Sequence, residues 1–183
     1  MNYTHRIGEE IRTIAIFIAV IWGVFLLDRI LPLETFGLIP RSEKGIIGII
    51  AMTFLHADLK HLIGNTIPLV VLLSLLAGSQ ADSRKIVAFI ILLGGLLLWL
   101  FGRSNSIHIG ASLLVFGLAT FLVVSGLLER RIIPLLISII VVIMYGSTLI
   151  GGIMPLQQGV SWEGHLMGGI AGAITAWLLV KLR

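Results

Sequence analysis

The chain has 183 residues, of which 57% are hydrophobic and only 12% are charged. Soluble domains carry about 25% charged residues, so these charges are too few to cover a water-facing surface, and a soluble fold is excluded. The formal net charge of +4 comes from bases that flank apolar stretches, which indicates contact with anionic lipid headgroups and not with nucleic acid. The chain has no cysteine, which excludes disulfides, thiol catalysis and thiolate zinc sites.

Six apolar stretches follow one another, and each approaches the roughly 20 residues needed to cross a bilayer. They cover residues 13–31, 61–78, 86–102, 110–128, 132–154 and 164–182. The one long connection is 32–60, whose apolar part 46–55 is too short to span and is expected to lie in the interface or to dip partway in. The sequence therefore predicts an all-α integral membrane protein, a six-helix bundle forming a single domain over residues 1–183.

Lysine and arginine residues near the span ends predict the orientation, because cytoplasmic loops carry an excess of them. With the N-terminus inside, eight of the 13 bases lie on the inner side and five on the outer side. We therefore expect a multi-pass protein of the cell membrane with both termini in the cytoplasm. The inner bases are Arg6, Arg12, Arg84, Lys85, Arg130, Arg131, Lys181 and Arg183.

Polar side chains near span starts are the candidates for chemistry, since such groups are costly in a membrane and need partners. His61 and Asn65 are four residues apart and share one face of the second span, and His56 lies at its entry. Ser112 lies in the first turn of the fourth span, where backbone N–H groups lack intrahelical partners and carry the positive end of the helix dipole. An oxyanion that forms beside Ser112 would meet such donors.

His165 begins the sixth span, beside small residues that recur every four positions and allow close helix approach. In the predicted orientation the starts of the second, fourth and sixth spans all face the outer side. A serine nucleophile and a histidine base would then meet in a cavity open to that side. The small residues are Gly164, Gly168, Gly172 and Ala176.

Simpler interpretations stay open for each residue alone. Ser112 alone is typical of a helix cap, Phe116 one turn later is typical of a core aromatic, and His61 and Asn65 are typical of hydrogen bonds between helices. A histidine-rich metal site is an alternative, but no carboxylate lies mid-span to complete it, and the same lack disfavours a proton-coupled transporter. We therefore predict no metal and no other cofactor. The metal alternative would use His56, His61, His108 and His165.

Three motifs, in this order and spacing, resemble the rhomboid intramembrane serine proteases. The resemblance covers nearly the whole chain and implies a minimal six-span core of the prokaryotic type. It also implies that Gly168 and Gly172 let the sixth helix pack on the fourth. The motifs are His56…His61…Asn65, Gly110-Ala111-Ser112 with Gly117, and His165 with Gly168 and Gly172.

The resemblance implies that Ser112 is the nucleophile and His165 its general base, a dyad that hydrolyses peptide bonds in or near transmembrane segments of membrane-protein substrates. His61 and Asn65 would line the oxyanion hole with the backbone N–H of Ser112. Phe116 would stand where the family often has an aromatic residue, usually tyrosine, stacked on the catalytic histidine. The implied partners are these substrates and the lipid bilayer, with no nucleic acid.

One position departs from the family pattern, because Leu113 follows the serine where glycine is common. A larger side chain there is expected to affect substrate preference and rate more than the reaction class. An inactive rhomboid-like protein that binds membrane spans without cutting them is the alternative function. The sequence assigns no role to Glu163 or His108, and neither a natural substrate nor an oligomeric state.

Overall fold

The structure, a computed structural model, describes residues 3–80, 82–155 and 159–181. Four short helical turns, Leu33–Phe36, Glu43–Gly45, Gly48–Ala51 and Met52–Phe54, follow the first long helix. No β-strand occurs in the described ranges, so the predicted all-helical class is confirmed. The long helices are α1 (Tyr3–Asp28), α2 (Leu59–Ser79), α3 (Ser83–Phe101), α4 (Ser112–Leu128), α5 (Ile132–Gly152) and α6 (Trp162–Lys181).

Five of these helices, all except α4, are long and apolar enough to cross a membrane within the described part of the chain. The sixth, α4, is apolar but has only 17 residues, or about 25 Å at 1.5 Å per residue. That is less than the roughly 30 Å of a hydrocarbon core. It begins at Ser112 and not at Gly110 as predicted, because Gly110 has a φ of +115°, outside the helical region.

Helix α4 lies at the centre of the bundle and runs parallel to α6. Eleven of its 17 residues are buried. The direction follows from the pairing, since Leu113 lies opposite Gly168 and Gly117, one turn later, lies opposite Gly172. Both helices therefore begin at the same end of the molecule.

Helix α2 begins at that end as well. Asn65, near its start, lies beside Gly110 just before α4. At the opposite end, Gln80 donates a hydrogen bond from Nε2 to Glu129 Oε1 at 2.7 Å, and these two residues follow the last turns of α2 and α4. The starts of α2, α4 and α6, which carry the polar motifs, therefore meet at one end of the bundle.

The connection between α1 and α2 folds back into the bundle. A methyl group added to Gly95, well inside α3, would lie 2.6 Å from the Ile49 carbonyl oxygen, so the loop backbone contacts that helix. The Phe54 ring packs edge-on against Phe17 with 5.6 Å between centroids. Phe17 lies about 16 Å along α1 from its end at Asp28. The apolar part of the loop therefore lies well below the ends of the helices.

Candidate active site

The backbone that leads into α4 is held by the folded-back first loop. Leu38 and His108 exchange two backbone hydrogen bonds, at 3.0 Å and 2.8 Å. The Gly110 N–H donates to the Met52 carbonyl at 2.8 Å. Ser112 follows as the first residue of α4 and is partly exposed. The first loop therefore determines where the candidate nucleophile lies.

His56 lies beneath this turn and supports it. The sequence alone placed this residue only at the entry to the second span. Its side chain is fully buried, and its Nε2 accepts a hydrogen bond from the Ala111 N–H at 3.4 Å. Burial, followed by the charge of His61, lowers the pKa of His56 to about 4. His56 is therefore neutral near pH 7, as an acceptor at Nε2 must be, and it binds the N–H that precedes Ser112.

His61 and Asn65 lie directly over the backbone of Gly110. A methyl group built on Gly110 would lie 2.6 Å from both Cε1 and Nε2 of His61 and 3.6 Å from Nδ2 of Asn65. Asn65 is only 6% exposed, and its Nδ2 has no hydrogen-bond partner among the described residues. Leaving a buried donor without a partner costs about 1–3 kcal/mol. The Asn65 amide is such a donor, and it lies beside Gly110, two residues before Ser112 in the sequence.

His165 is held by two other helices. Its ring stacks on Phe116 of α4 with 4.1 Å between centroids and 4° between planes. Its Nδ1 forms a hydrogen bond of 2.8 Å with the carbonyl of Gly152, at the end of α5. Phe116 is one helical turn after Ser112 and on the same face of α4. No hydrogen bond joins Ser112 to His165 in the described ranges, and such bonds are often long in unliganded sites.

The glycines of α6 bring its backbone against α4. A methyl group added to Gly168 would lie 2.9 Å from the carbonyl carbon of Leu113, and one added to Gly172 would lie 2.9 Å from that of Gly117. Both distances are shorter than ordinary carbon contacts of about 3.5 Å. The helix that carries His165 can approach α4 this closely only because these positions lack side chains.

The side chain of Leu113 is buried in the core at the start of α4. Its side chain is 2% exposed and belongs to a small apolar cluster with Leu38, Met52 and Leu98. This cluster joins the first loop and α3 to the start of α4. The larger residue therefore adds to the packing that supports the Ser112 turn.

Glu163 and His108 stabilise the start of α6. Glu163 is 3% exposed and binds Arg103 through both carboxylate oxygens, with 3.1 Å from Arg103 Nη2 to Oε2. His108 Nδ1 lies 2.6 Å from Ser161 Oγ, which also accepts the Gly164 N–H at 3.2 Å. Burial is the main cause that lowers the pKa of His108. The Ser161 hydroxyl satisfies one N-terminal N–H of α6, and the ion pair and the His108 contact hold the start of the helix in place.

The sequence did not indicate that the Gly152 carbonyl binds His165, because every residue has a backbone carbonyl. A pair of glycines that closes an apolar run, as Gly151 and Gly152 do, is commonly no more than a helix end.

Among the described residues, no three His, Asp or Glu side chains come together in a way that could hold a metal ion.

Comparisons with known proteins agree with this architecture. A family model described as "Rhomboid domain" matches residues 43–182. A protein of Mycobacterium tuberculosis, "Uncharacterized protein Rv1337", is 42% identical, with 91% of this chain and 74% of that protein covered. A Mycobacterium bovis protein, "Uncharacterized protein Mb1372", gives the same values. A Mycobacterium leprae protein, "Uncharacterized protein ML1171", is 38% identical over 91% of this chain and 70% of its own length. The chain is a multi-pass membrane protein and belongs to the rhomboid family.

Proposed function

We propose that this protein is an intramembrane serine endopeptidase that hydrolyses peptide bonds in or near transmembrane segments of other membrane proteins. The observation that carries the proposal is the free, buried amide of Asn65, next to His61 and the turn that ends in Ser112. An unpaired donor at this place suits a ligand oxygen that arrives only with substrate. Membership in a family of intramembrane proteases supports the same reaction class.

The first chemical step uses Ser112 and His165. The Nε2 atom of His165 takes the proton of the Ser112 hydroxyl, and the serine oxygen attacks the carbonyl carbon of the scissile peptide. The oxyanion receives hydrogen bonds from the Ser112 backbone N–H, the Asn65 amide and the His61 ring. His165 then gives its proton to the leaving amine, and an acyl-enzyme remains.

Hydrolysis completes the cycle and needs water inside the membrane. His165 takes a proton from a water molecule, the hydroxide attacks the ester carbonyl, and Ser112 leaves with the proton restored. Polar residues at the starts of α2, α4 and α6 would line the wet cavity that this step requires. Losing one oxyanion donor costs about 10²–10³ in rate, so Asn65→Ala is expected to slow cleavage by about that factor.

Another serine and histidine, Ser161 and His108, are hydrogen-bonded to each other and provide a matched control. Both nitrogens of His108 already have serine partners, because Nε2 lies 3.2 Å from the Ser106 hydroxyl. Ser161 Oγ is occupied by the Gly164 N–H. This pair caps α6, and we therefore assign it no chemistry.

The test is cleavage of a single-span substrate in detergent by the wild type, Ser112→Ala, His165→Ala and Ser161→Ala. We expect the wild type and Ser161→Ala to cut, and the other two variants to be inactive while remaining folded. Cutting that survives Ser112→Ala but is lost in Ser161→Ala would show that the site has been assigned to the wrong pair.

Absence of cutting by every form would still be informative if Ser112 is tested for reaction with a fluorophosphonate. Labelling of the wild type and of Ser161→Ala, but not of Ser112→Ala, would indicate a protease with a narrow substrate range. No labelling of folded wild-type protein would reject the protease and favour an inactive relative that binds spans.

The proposal includes the single domain, the cell membrane as location, and a site open to the outer side with both termini in the cytoplasm. The excess of bases on one set of loops supports this orientation. A reporter fused after Arg183 that is active only outside the cell would reject it.

A further inference from the structure

The imidazole of His165 has no carboxylate partner in the described part of the chain, since Glu163, two residues away, is paired with Arg103. Its Nδ1 instead lies 2.8 Å from the backbone carbonyl oxygen of Gly152. A carbonyl oxygen only accepts hydrogen bonds, so Nδ1 must carry the hydrogen. In the neutral ring, Nε2 then has the free lone pair that a base requires.

The end of α5 is suited to this contact for two reasons. Gly152 is the last residue of the helix, and the last four carbonyls of a helix have no intrahelical partner. The same end carries the negative end of the helix dipole, which favours a cation beside it. An imidazolium forms when His165 takes the serine proton, so the contact stabilises the charged form as well as the correct neutral tautomer.

Only glycine permits this approach. A methyl group at position 152 would overlap the Phe116 ring, with 3.0 Å to Cε1, and would lie 3.1 Å from Nδ1 of His165. A methyl group on the neighbouring Gly151 would meet nothing within 4 Å. An added methyl group at position 152 would therefore disturb Phe116 and His165, whereas one at position 151 would contact nothing.

We infer that Gly152 is a positioning residue, whose backbone carbonyl holds His165 in the tautomer with hydrogen on Nδ1 and thereby does the work that a carboxylate does in serine–histidine–aspartate triads. The inference rests on the proposed function for its kinetic consequence. Its structural content, the tautomer and the contact, does not depend on whether the protein cuts.

The first measurement is the ¹⁵N spectrum of the whole protein labelled on histidine, with the His165 signals identified by their loss in His165→Gln. We expect hydrogen on Nδ1 and none on Nε2 in the wild type and in Gly151→Ala, and a mixture of tautomers in Gly152→Ala. Hydrogen on Nε2 in the wild type overturns the inference. This readout applies equally to an inactive protein, so it separates failure of the inference from failure of the proposed function.

Kinetics give the second measurement. We expect Gly152→Ala to lower kcat by about 10- to 100-fold with little change in KM, since loss of a histidine-orienting group costs up to about 10⁴ in related catalysis. Gly151→Ala is expected to match the wild type. Equal kcat in the two alanine variants, with both folded, overturns the inference.

A third variant separates the carbonyl from the methyl clash. A semisynthetic protein with an ester between residues 152 and 153 keeps every side chain but weakens the Gly152 carbonyl as an acceptor. The matched control has the ester between residues 151 and 152. A fall in kcat in the first protein beyond that of the control supports the inference, and equal rates overturn it.

Discussion

The contact between α6 and α4 gives a quantitative prediction for Gly168→Ala. The added methyl would lie 2.9 Å from the Leu113 carbonyl carbon, and an unstrained contact needs about 3.5 Å. The Leu113 carbonyl oxygen lies nearer still, and the obstacle is backbone on both sides, so the helices must separate by about 1 Å. Overpacking of this kind costs about 1–3 kcal/mol, and we expect a value near 3 because no side chain can rotate away.

The same separation moves His165, one turn earlier on α6, away from Ser112. A misplacement of about 1 Å can cost about 10²-fold in rate, so we expect Gly168→Ala to lose about 10- to 100-fold in kcat. Gly169→Ala is the matched control, because its methyl would meet only Thr120 Oγ1 at 3.4 Å. Alanine is also favoured over glycine within a helix by up to about 1 kcal/mol.

The assay is the free energy of unfolding in mixed micelles, measured beside cleavage of one substrate by wild type and both variants. Gly169→Ala is expected to be as stable and active as the wild type or more stable. Unfolding free energies for Gly168→Ala and Gly169→Ala that agree within about 0.5 kcal/mol would refute the close approach of the two backbones.

Three further predictions concern the surroundings of the site. Gly110→Ala is expected to destabilise the fold by about 2 kcal/mol or more, because its φ of +115° is strained for alanine; a thermal melt unchanged from wild type would contradict this. Arg103→Ala is expected to lower the free energy of unfolding by about 3 kcal/mol, because it leaves the buried Glu163 unpaired. Glu163→Gln is expected to lower it by only about 1 kcal/mol, because Arg103 is 61% exposed and stays solvated. A larger loss for Glu163→Gln than for Arg103→Ala would contradict this difference in burial. The pKa of His56 is about 4 in the folded protein against 6.5 when unfolded, so the unfolded chain binds more protons between these values. The free energy of unfolding should therefore fall by about 3 kcal/mol as pH drops from 6.5 to 4, and His56→Gln should reduce that slope; equal slopes in the two proteins would be the negative result.

Apolar runs predicted the helices well, and the differences have physical causes. The first stretch was expected from Thr13, whereas α1 begins at Tyr3. The added residues include Glu9 and Glu10, which are helical but polar, and Glu10 accepts a hydrogen bond from Ser83 at 2.7 Å. Apolar residues mark only the part of a helix that lies in the hydrocarbon core of the membrane. The polar turns at the start of α1 therefore fall outside the predicted stretch.

Contacts between distant backbone segments could not be predicted in the same way. The Met52 carbonyl that holds Gly110 and the Gly152 carbonyl that holds His165 are groups that every residue possesses. Motif spacing brought Ser112 and His165 together as a hypothesis, and their chemical roles stay predictions. How each is held depends on a loop and a helix end that no motif marks.

The peripheral position of α1 has a consequence for how the molecule can be divided. Only 11% of the apolar segment of this helix is buried against the rest of the protein. The helix supplies none of the proposed active-site residues, and the family match begins after it. Its link to the remainder, through Leu31 and Pro32, is exposed. A chain nicked at this link would keep every contact of the active site, with α1 retained as a separate peptide by Phe17 and the hydrogen bond from Trp22 to Thr66. In terms of assembly, α1 is a helix docked on the other five, held by side-chain packing that includes the buried Ile21 and Phe25 as well as by the chain itself.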